Sequence, residues 1–205
     1  ELRASAVAFA EVSVENPKIW DIDSPNLYTA VTEVYVDGQK KDEYSTRFGF
    51  RTFGFDKDKG FILNGRYVKI KGVCAHQDVG LTGKAVADNV QRYRAKLIKE
   101  MGANGYRTSH YQQTSAYLDA CDEMGILVMD EARWFESTKE SFEQIESLVK
   151  RDRNRPSVIF WSTSNEEPTK NKYNTPCWIE PAILAEKALN ANVADSLLSP
   201  NLYSL

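Results

Sequence analysis

The chain is poor in histidine and cysteine: it has two histidines and three cysteines among 205 residues. The three thiols, Cys74, Cys121 and Cys177, are far apart and form no CxxC pair, which argues against a zinc site and fits a reducing compartment. Cys121 reads as a packed core thiol. An excess of one charge is also missing. Lys and Arg number 26 against 29 Asp and Glu, a net charge of -3, so there is no electrostatic reason to expect nucleic acid or an anionic membrane surface as partner. No apolar run approaches the roughly 18 to 20 residues of a membrane helix, and the first residues lack the basic-then-apolar order of a signal peptide. The first residue is Glu1 rather than Met, which points to upstream sequence having been removed and leaves the compartment of the parent open. What the chain does have is a 42% hydrophobic content, enough to bury a core at this length.

The first part reads as antiparallel β-structure. Val31, Glu33 and Tyr35 alternate with Thr32, Val34 and Val36, and Asp37-Gly38 follows as a hairpin turn. Ala6 to Val14 is a further strand candidate, and Glu43 to Phe55 continues the pattern with Gly49 and Gly54 as bends. Residues 1–58 therefore form an antiparallel unit with too few strands for a complete sandwich of ~7.

After Lys59-Gly60 the pattern changes to strand then helix, repeated. Tyr67 to His76 reads as a strand. The helix after it starts at an Asp88 cap, places Val90, Tyr93, Leu97 and Met101 on one face, and stops at Gly102. Tyr106 to His110 is the second strand; the following helix is capped by Thr114, buries Leu118, Cys121 and Met124, and ends at Gly125. Ile126 to Ala132 is the third, followed by a helix opened by a Ser137/Glu140 capping box with Phe142, Ile145, Leu148 and Val149 inward. The apolar run in SVIFWSTSNE is the fourth. Apolar strands separated by amphipathic helices indicate an α/β class with a parallel sheet, as a barrel or a doubly wound sheet. In either arrangement ligands bind beyond the carboxyl ends of the strands.

Those ends deliver His76, Gln77 and Asp78; Arg107 and His110; Asp130 and Glu131; then Asn165, Glu166 and Glu167. Both histidines of the chain fall in this set, which favours one shared site over two unrelated capping or core histidines. Histidine, asparagine, arginine and carboxylates supply the donors and acceptors that a polyhydroxylated ligand needs, whereas no metal-ligand spacing stands out. Glu166, raised on a buried strand near other carboxylates, has the surroundings that shift a carboxyl group toward general-acid use. The competing reading makes Asn165, Glu166 and Glu167 a helix N-terminus with Pro168 in its first turn. Trp161 reads as core, and Trp134 as either a stacking platform for a sugar ring or a surface anchor.

FILNGRYVKIKGVCAHQD, GANGYRTSHYQQTSAYLDACDEMGILVMDEA and RDRNRPSVIFWSTSNEEP resemble, in order and spacing, glycoside hydrolase family 2, the retaining β-galactosidases, β-glucuronidases and β-mannosidases. NPKIWDIDSPNLYTAVTEVYVDG with FGFRTF resembles the end of that family's immunoglobulin-like sandwich. The resemblance implies part of an antiparallel immunoglobulin-like β-sandwich over 1–58. It implies, over 59–205, the first part of a (β/α)8 TIM barrel, about four βα units. It further implies Glu166 as the acid/base, Asn165 as hydroxyl binder, His76 and His110 as sugar contacts, Arg107 near the site, and Asp130 and Glu131 supporting its hydrogen bonds. The HQD and NEEP forms are most similar to the β-galactosidase-like branch.

The family's nucleophile comes from a late barrel strand, and too few residues follow Ile62 for a barrel of about 250, so the chain is expected to lack it. After Thr169 the resemblance fades; a helix is expected from Ala182 to about Ala194, and nothing licenses Glu180 as nucleophile. No organic cofactor is implied; a divalent ion assists some relatives, but its motif is not recognisable after Ala132. Two readings remain. The chain is a piece of a β-glycosidase, needing its missing barrel half and prone to self-association, or it is a non-catalytic truncated barrel that binds carbohydrate or protein.

Overall fold

The computed structural model describes residues 7–133, 138–163 and 165. Strands β1 (Tyr28–Val36) and β2 (Gln39–Phe48) form a two-stranded antiparallel sheet. Its turn is Asp37-Gly38, with both residues at positive φ (51° and 74°), the geometry that matches the twist of a tight hairpin. The segment from Val7 to Val14 forms no strand and is exposed, contrary to its alternating pattern: among the described residues no strand pairs with it.

A second sheet joins β3 (Phe53–Asp56), β4 (Gly60–Leu63) and β5 (Arg66–Tyr67), all antiparallel. The turn between β3 and β4 spans the boundary expected at residues 58 and 59, where Asp56 Oδ1 accepts from the amides of Asp58 and Lys59. The single strand expected from Tyr67 to His76 is divided. Tyr67 pairs with Ile62 in this small sheet, and only β6 (Gly72–Cys74) enters the parallel sheet.

That parallel sheet has the order β6, β7 (Gly105–Arg107), β8 (Leu127–Glu131), β9 (Val158–Ser162), each strand beside its successor in the chain. The connecting helices are α1 (Asp88–Glu100), α2 (Ser115–Met124) and α3 (Lys139–Asp152). Thr114 caps α2 by accepting from the Tyr117 amide, and Gly125 ends it in the left-handed conformation (φ 67°). For α3 the cap is Thr138, accepting from the Ser141 amide; Ser137 lies outside the described residues. Helix α1 starts after Ala87, which offers no side-chain cap, so Asp88 is a first-turn acid rather than the cap itself.

Helix α1 also turns a different face inward. Gln91 and Ala95 are buried, whereas Val90, Tyr93, Leu97 and Met101 are 36%, 56%, 44% and 66% exposed. The small Ala95 side chain, packed in one cluster with Tyr106, Tyr117 and Leu118, lets α1 lie close to α2 and β7.

Alternation along the strands separates two packed faces. Tyr106, Val128 and Val158 face the helices, with Leu118, Cys121 and Ile126. Leu127 and Ile159 face the other way, onto Trp20, Phe61, Leu63 and Val68, so β3–β5 and the Trp20 segment seal that face near the strand starts. A register shift between Val128 and Met129 lets Phe160 join Ile159 on this side. Trp20 Nε1 donates to Asp122 O (2.7 Å), and the Arg51 guanidinium to Pro156 O (2.6 Å) and Val158 O (2.5 Å), tying the sheet to what precedes it. Burial lowers Arg51 to about 10.

Candidate active site

The same alternation decides which polar residues meet. Cys74, Arg107 and Glu131 share the face away from the helices, since Cys74 is in register with Arg107, and Glu131 with Ser162. Arg107 Nε donates to Glu131 Oε2 (2.7 Å) and Arg107 Nη2 to Asn165 Oδ1 (2.6 Å). Ser162 Oγ donates to the same Glu131 oxygen (2.9 Å), and His110 Nδ1 lies 2.8 Å from Glu131 Oε1. With donors already on its other oxygen, the carboxylate is the acceptor, so His110 carries its proton on Nδ1 and turns Nε2 away from Glu131. The Glu131 amide donates to Thr108 Oγ1 (2.8 Å).

Glu131 is therefore a hub rather than a direct ligand. It is fully buried, and each of its oxygens is held by another side chain of the site. The hydrogen bond to Glu131 raises the Arg107 pKa, so the guanidinium keeps its charge. Asn165 receives Arg107 on its carbonyl oxygen, which assigns the other end of the amide as the donor end.

Asp130 does not join this group, although the sequence suggested that it acts with Glu131. Adjacent strand residues point to opposite faces, and Asp130 is turned to the helix side, against Asp152 at the end of α3. Thr108 Oγ1 reaches its Oδ1 at 3.4 Å, while Oδ2 has no hydrogen-bond partner. Burial first, and then the Asp152 carboxylate, push the Asp130 pKa well above its ordinary value of 3.8; Arg151 and the Thr108 bond oppose the shift. A folded state that holds a proton which the unfolded chain has released loses stability as pH rises above the unfolded value. Asp130→Asn should therefore flatten the fall in stability from about pH 4 upward, read by urea denaturation at several pH values. An unchanged slope would mean that Asp130 is ionised in the folded chain.

The two histidines do meet. Their ring centroids are 5.3 Å apart and edge-to-face, and His76 lies 6.2 Å from the Tyr111 ring. The backbone that carries His76 is held from α1, where Arg94 donates to His76 O (2.5 Å) and Gln77 O (2.9 Å), and from β7, where the Tyr106 hydroxyl donates to Ala75 O (2.8 Å). Thr108, Ser162, Arg94 and Tyr111 are site-building residues that sequence reading missed. The first two could have been found from their in-register or adjacent positions at strand ends, but Arg94 gave no such signal. Glu166, Trp134, Glu167, Glu180 and Cys177 lie outside the described residues. Among the described residues no group of three or more His, Cys, Asp or Glu is placed to hold a metal ion, and no helix is long and apolar enough to cross a membrane.

Residues 56–138 and 134–178 match the sequence family described as glycosyl hydrolases family 2, TIM barrel domain, and residues 2–51 match glycosyl hydrolases family 2. The chain belongs to glycosyl hydrolase family 2. Its parallel sheet is thus part of the family's TIM barrel, preceded by part of the immunoglobulin-like domain. Within family 2 it is similar to the beta-galactosidase BoGH2A of Bacteroides ovatus, 43% identical over 170 residues, which are 76% of this chain and 20% of that protein. It is also similar to a beta-glucuronidase of Streptococcus agalactiae, 32% identical over 195 residues, 84% of this chain and 32% of that one. A solved beta-glycosidase from Bacteroides vulgatus superposes with a TM-score of 0.74 at 37% identity, over 86% of this chain and 24% of its own. The chain thus spans about a fifth of the length of BoGH2A.

Proposed function

We propose that this chain carries the acid/base and sugar-binding part of a retaining β-glycosidase site, with β-D-galactosides the favoured substrates of the whole protein. The observation that carries the reading is the Arg107–Glu131–His110–Asn165 network at the carboxyl ends of consecutive barrel strands. Asn165, its carbonyl held by Arg107, offers amide N–H groups to a sugar hydroxyl. His110, oriented by Glu131, and His76 beside it offer ring nitrogens. Family membership and the resemblance to galactosidases support the substrate class, and the HQD form of the first strand end favours galactose.

In this reading Glu166, which directly follows Asn165, protonates the departing oxygen. It later removes a proton from the water that hydrolyses the glycosyl-enzyme. The nucleophile of the double displacement comes from a carboxylate outside the residues described. Carbohydrate is the partner, and the exposed apolar face of α1 marks where the rest of a barrel, or a second copy, would pack.

The test is hydrolysis by the complete gene product and its Glu166→Gln variant. The variant should lose far more activity on alkyl galactosides, whose leaving group needs a proton, than on an activated aryl galactoside, roughly 10²-fold or more in the difference. Equal losses on both would remove Glu166 from the acid role. The 205-residue chain alone should be inactive on either substrate.

A further inference from the structure

Strand β6 ends at Cys74, and after the Ala75 amide, which still donates to Arg107 O (3.4 Å), the ladder no longer holds the backbone. Three successive carbonyls beyond that point are nonetheless taken, each by a side chain. The Tyr106 hydroxyl donates to Ala75 O (2.8 Å), while Arg94 donates through Nη2 to His76 O (2.5 Å) and through Nη1 to Gln77 O (2.9 Å). The first two of these carbonyls belong to the peptide planes on either side of the His76 Cα. A residue has only two soft backbone dihedrals, so fixing both flanking planes fixes the direction in which its side chain leaves the chain. The His76 ring leaves toward His110 and Tyr111.

Arg94 is itself aimed. Its Nη1 also donates to Oε1 of Gln91 (3.1 Å), three residues earlier on α1, and its guanidinium lies 5.9 Å from the Tyr117 ring centroid. The buried amide on the packed face of α1 thus holds the arginine that reaches the His76 segment. Arg92, on the same helix, pairs with Glu123. Among the described residues Arg94 meets carbonyls, an amide and an aromatic ring, and no carboxylate. A planar guanidinium sets two nitrogens at once on neighbouring carbonyls, a geometry that a single ammonium does not reproduce. Burial pushes the Tyr106 hydroxyl up to about 12, so it stays protonated as a donor.

We infer that Arg94 is a positioning residue: with the Tyr106 hydroxyl it sets the His76 ring toward the sugar, so that the packing of α1 is transmitted to the site. The inference rests on the reading of His76 as a sugar contact.

Hydrolysis of an aryl β-D-galactoside by the complete gene product tests it through His76. Arg94→Met should lower kcat/KM by about 10-fold to 10²-fold, the scale of a misplacement of about 1 Å made away from the chemistry. Tyr106→Phe, which keeps the buried ring, should act in the same direction. In a His76→Ala background neither change should cost more than about twofold, because the group they position is gone. Arg92→Met removes the Glu123 pair from the same helix and should leave kcat/KM within about twofold, which excludes a general loosening of α1. Losses additive with His76→Ala, or an Arg92→Met loss as large as that of Arg94→Met, overturn the inference. A readout independent of turnover is the rate at which diethyl pyrocarbonate modifies each histidine, followed peptide by peptide by mass spectrometry. Arg94→Met should raise the rate at His76 and leave that at His110 unchanged; equal changes at both, or none, overturn the positioning role. If the gene product turns over no aryl galactoside, the galactoside reading falls, and the modification rates alone decide whether Arg94 holds His76.

Discussion

Gly125→Ala should lower the stability of the chain by about 3 kcal/mol or more, the largest effect expected of any single methyl group added here. Two costs combine. The residue is left-handed (φ 67°), which for an alanine costs about 1 to 2 kcal/mol. The new Cβ would also lie 2.7 Å from Ile22 C and 2.8 Å from Ile22 Cα, with the Ile22 carbonyl oxygen nearer still. These are backbone atoms, and they cannot rotate aside. The Ile22 segment is itself anchored, since Lys99 Nζ donates to both Ile22 O (2.8 Å) and Gly125 O (3.1 Å). Gly102 supplies the control: it too is left-handed (φ 90°), but nothing lies within 4 Å of its would-be Cβ, so Gly102→Ala should cost only about 1 kcal/mol. Equal losses at both positions in urea denaturation would show that Ile22 does not pack against Gly125.

The second large effect is expected at Glu131. Glu131→Gln keeps the shape of the side chain but removes the charge that answers Arg107 and orients His110, so about 3 kcal/mol of stability should be lost. Galactoside binding should weaken with it, because Arg107 also holds Asn165. A double-mutant cycle distinguishes a hub from a merely buried acid. Adding Arg107→Met to Glu131→Gln should recover part of the stability, because the unanswered guanidinium is gone, whereas binding should stay weak. Additive losses in stability would sink the pairing.

How far the sequence revealed this arrangement depends on which physical signal each element carried. The Asp37-Gly38 turn, the Thr114 cap and the Gly125 stop were readable because local backbone chemistry decides them, whatever surrounds the element. The strand ends were readable because apolar runs finish abruptly in polar residues, and the structure brings His76, His110, Arg107, Glu131 and Asn165 together there. Helix α1 misled because large apolar residues attract attention in a periodic pattern. The packed face is instead Gln91 and Ala95, chosen by how closely the helix must approach its neighbours. The Asp130-Glu131 pair misled for the opposite reason: strand alternation was available and separates the two carboxylates across the sheet, but the family pattern presented them as a unit. Arg94 could not have been found, since its role is to hold backbone carbonyls far away in sequence.

The order β6, β7, β8, β9 in the parallel sheet also shapes how the chain is made. Every new strand docks on the one synthesised just before it, with a single helix between, so each addition closes a short loop and needs nothing still inside the ribosome. The sheet can therefore grow in the direction of translation, and the Arg107–Glu131 contact forms as soon as β8 is laid beside β7, ahead of the strand that brings Asn165. The network at the strand ends is assembled in the order of the message, its Arg107–Glu131 contact ahead of Asn165.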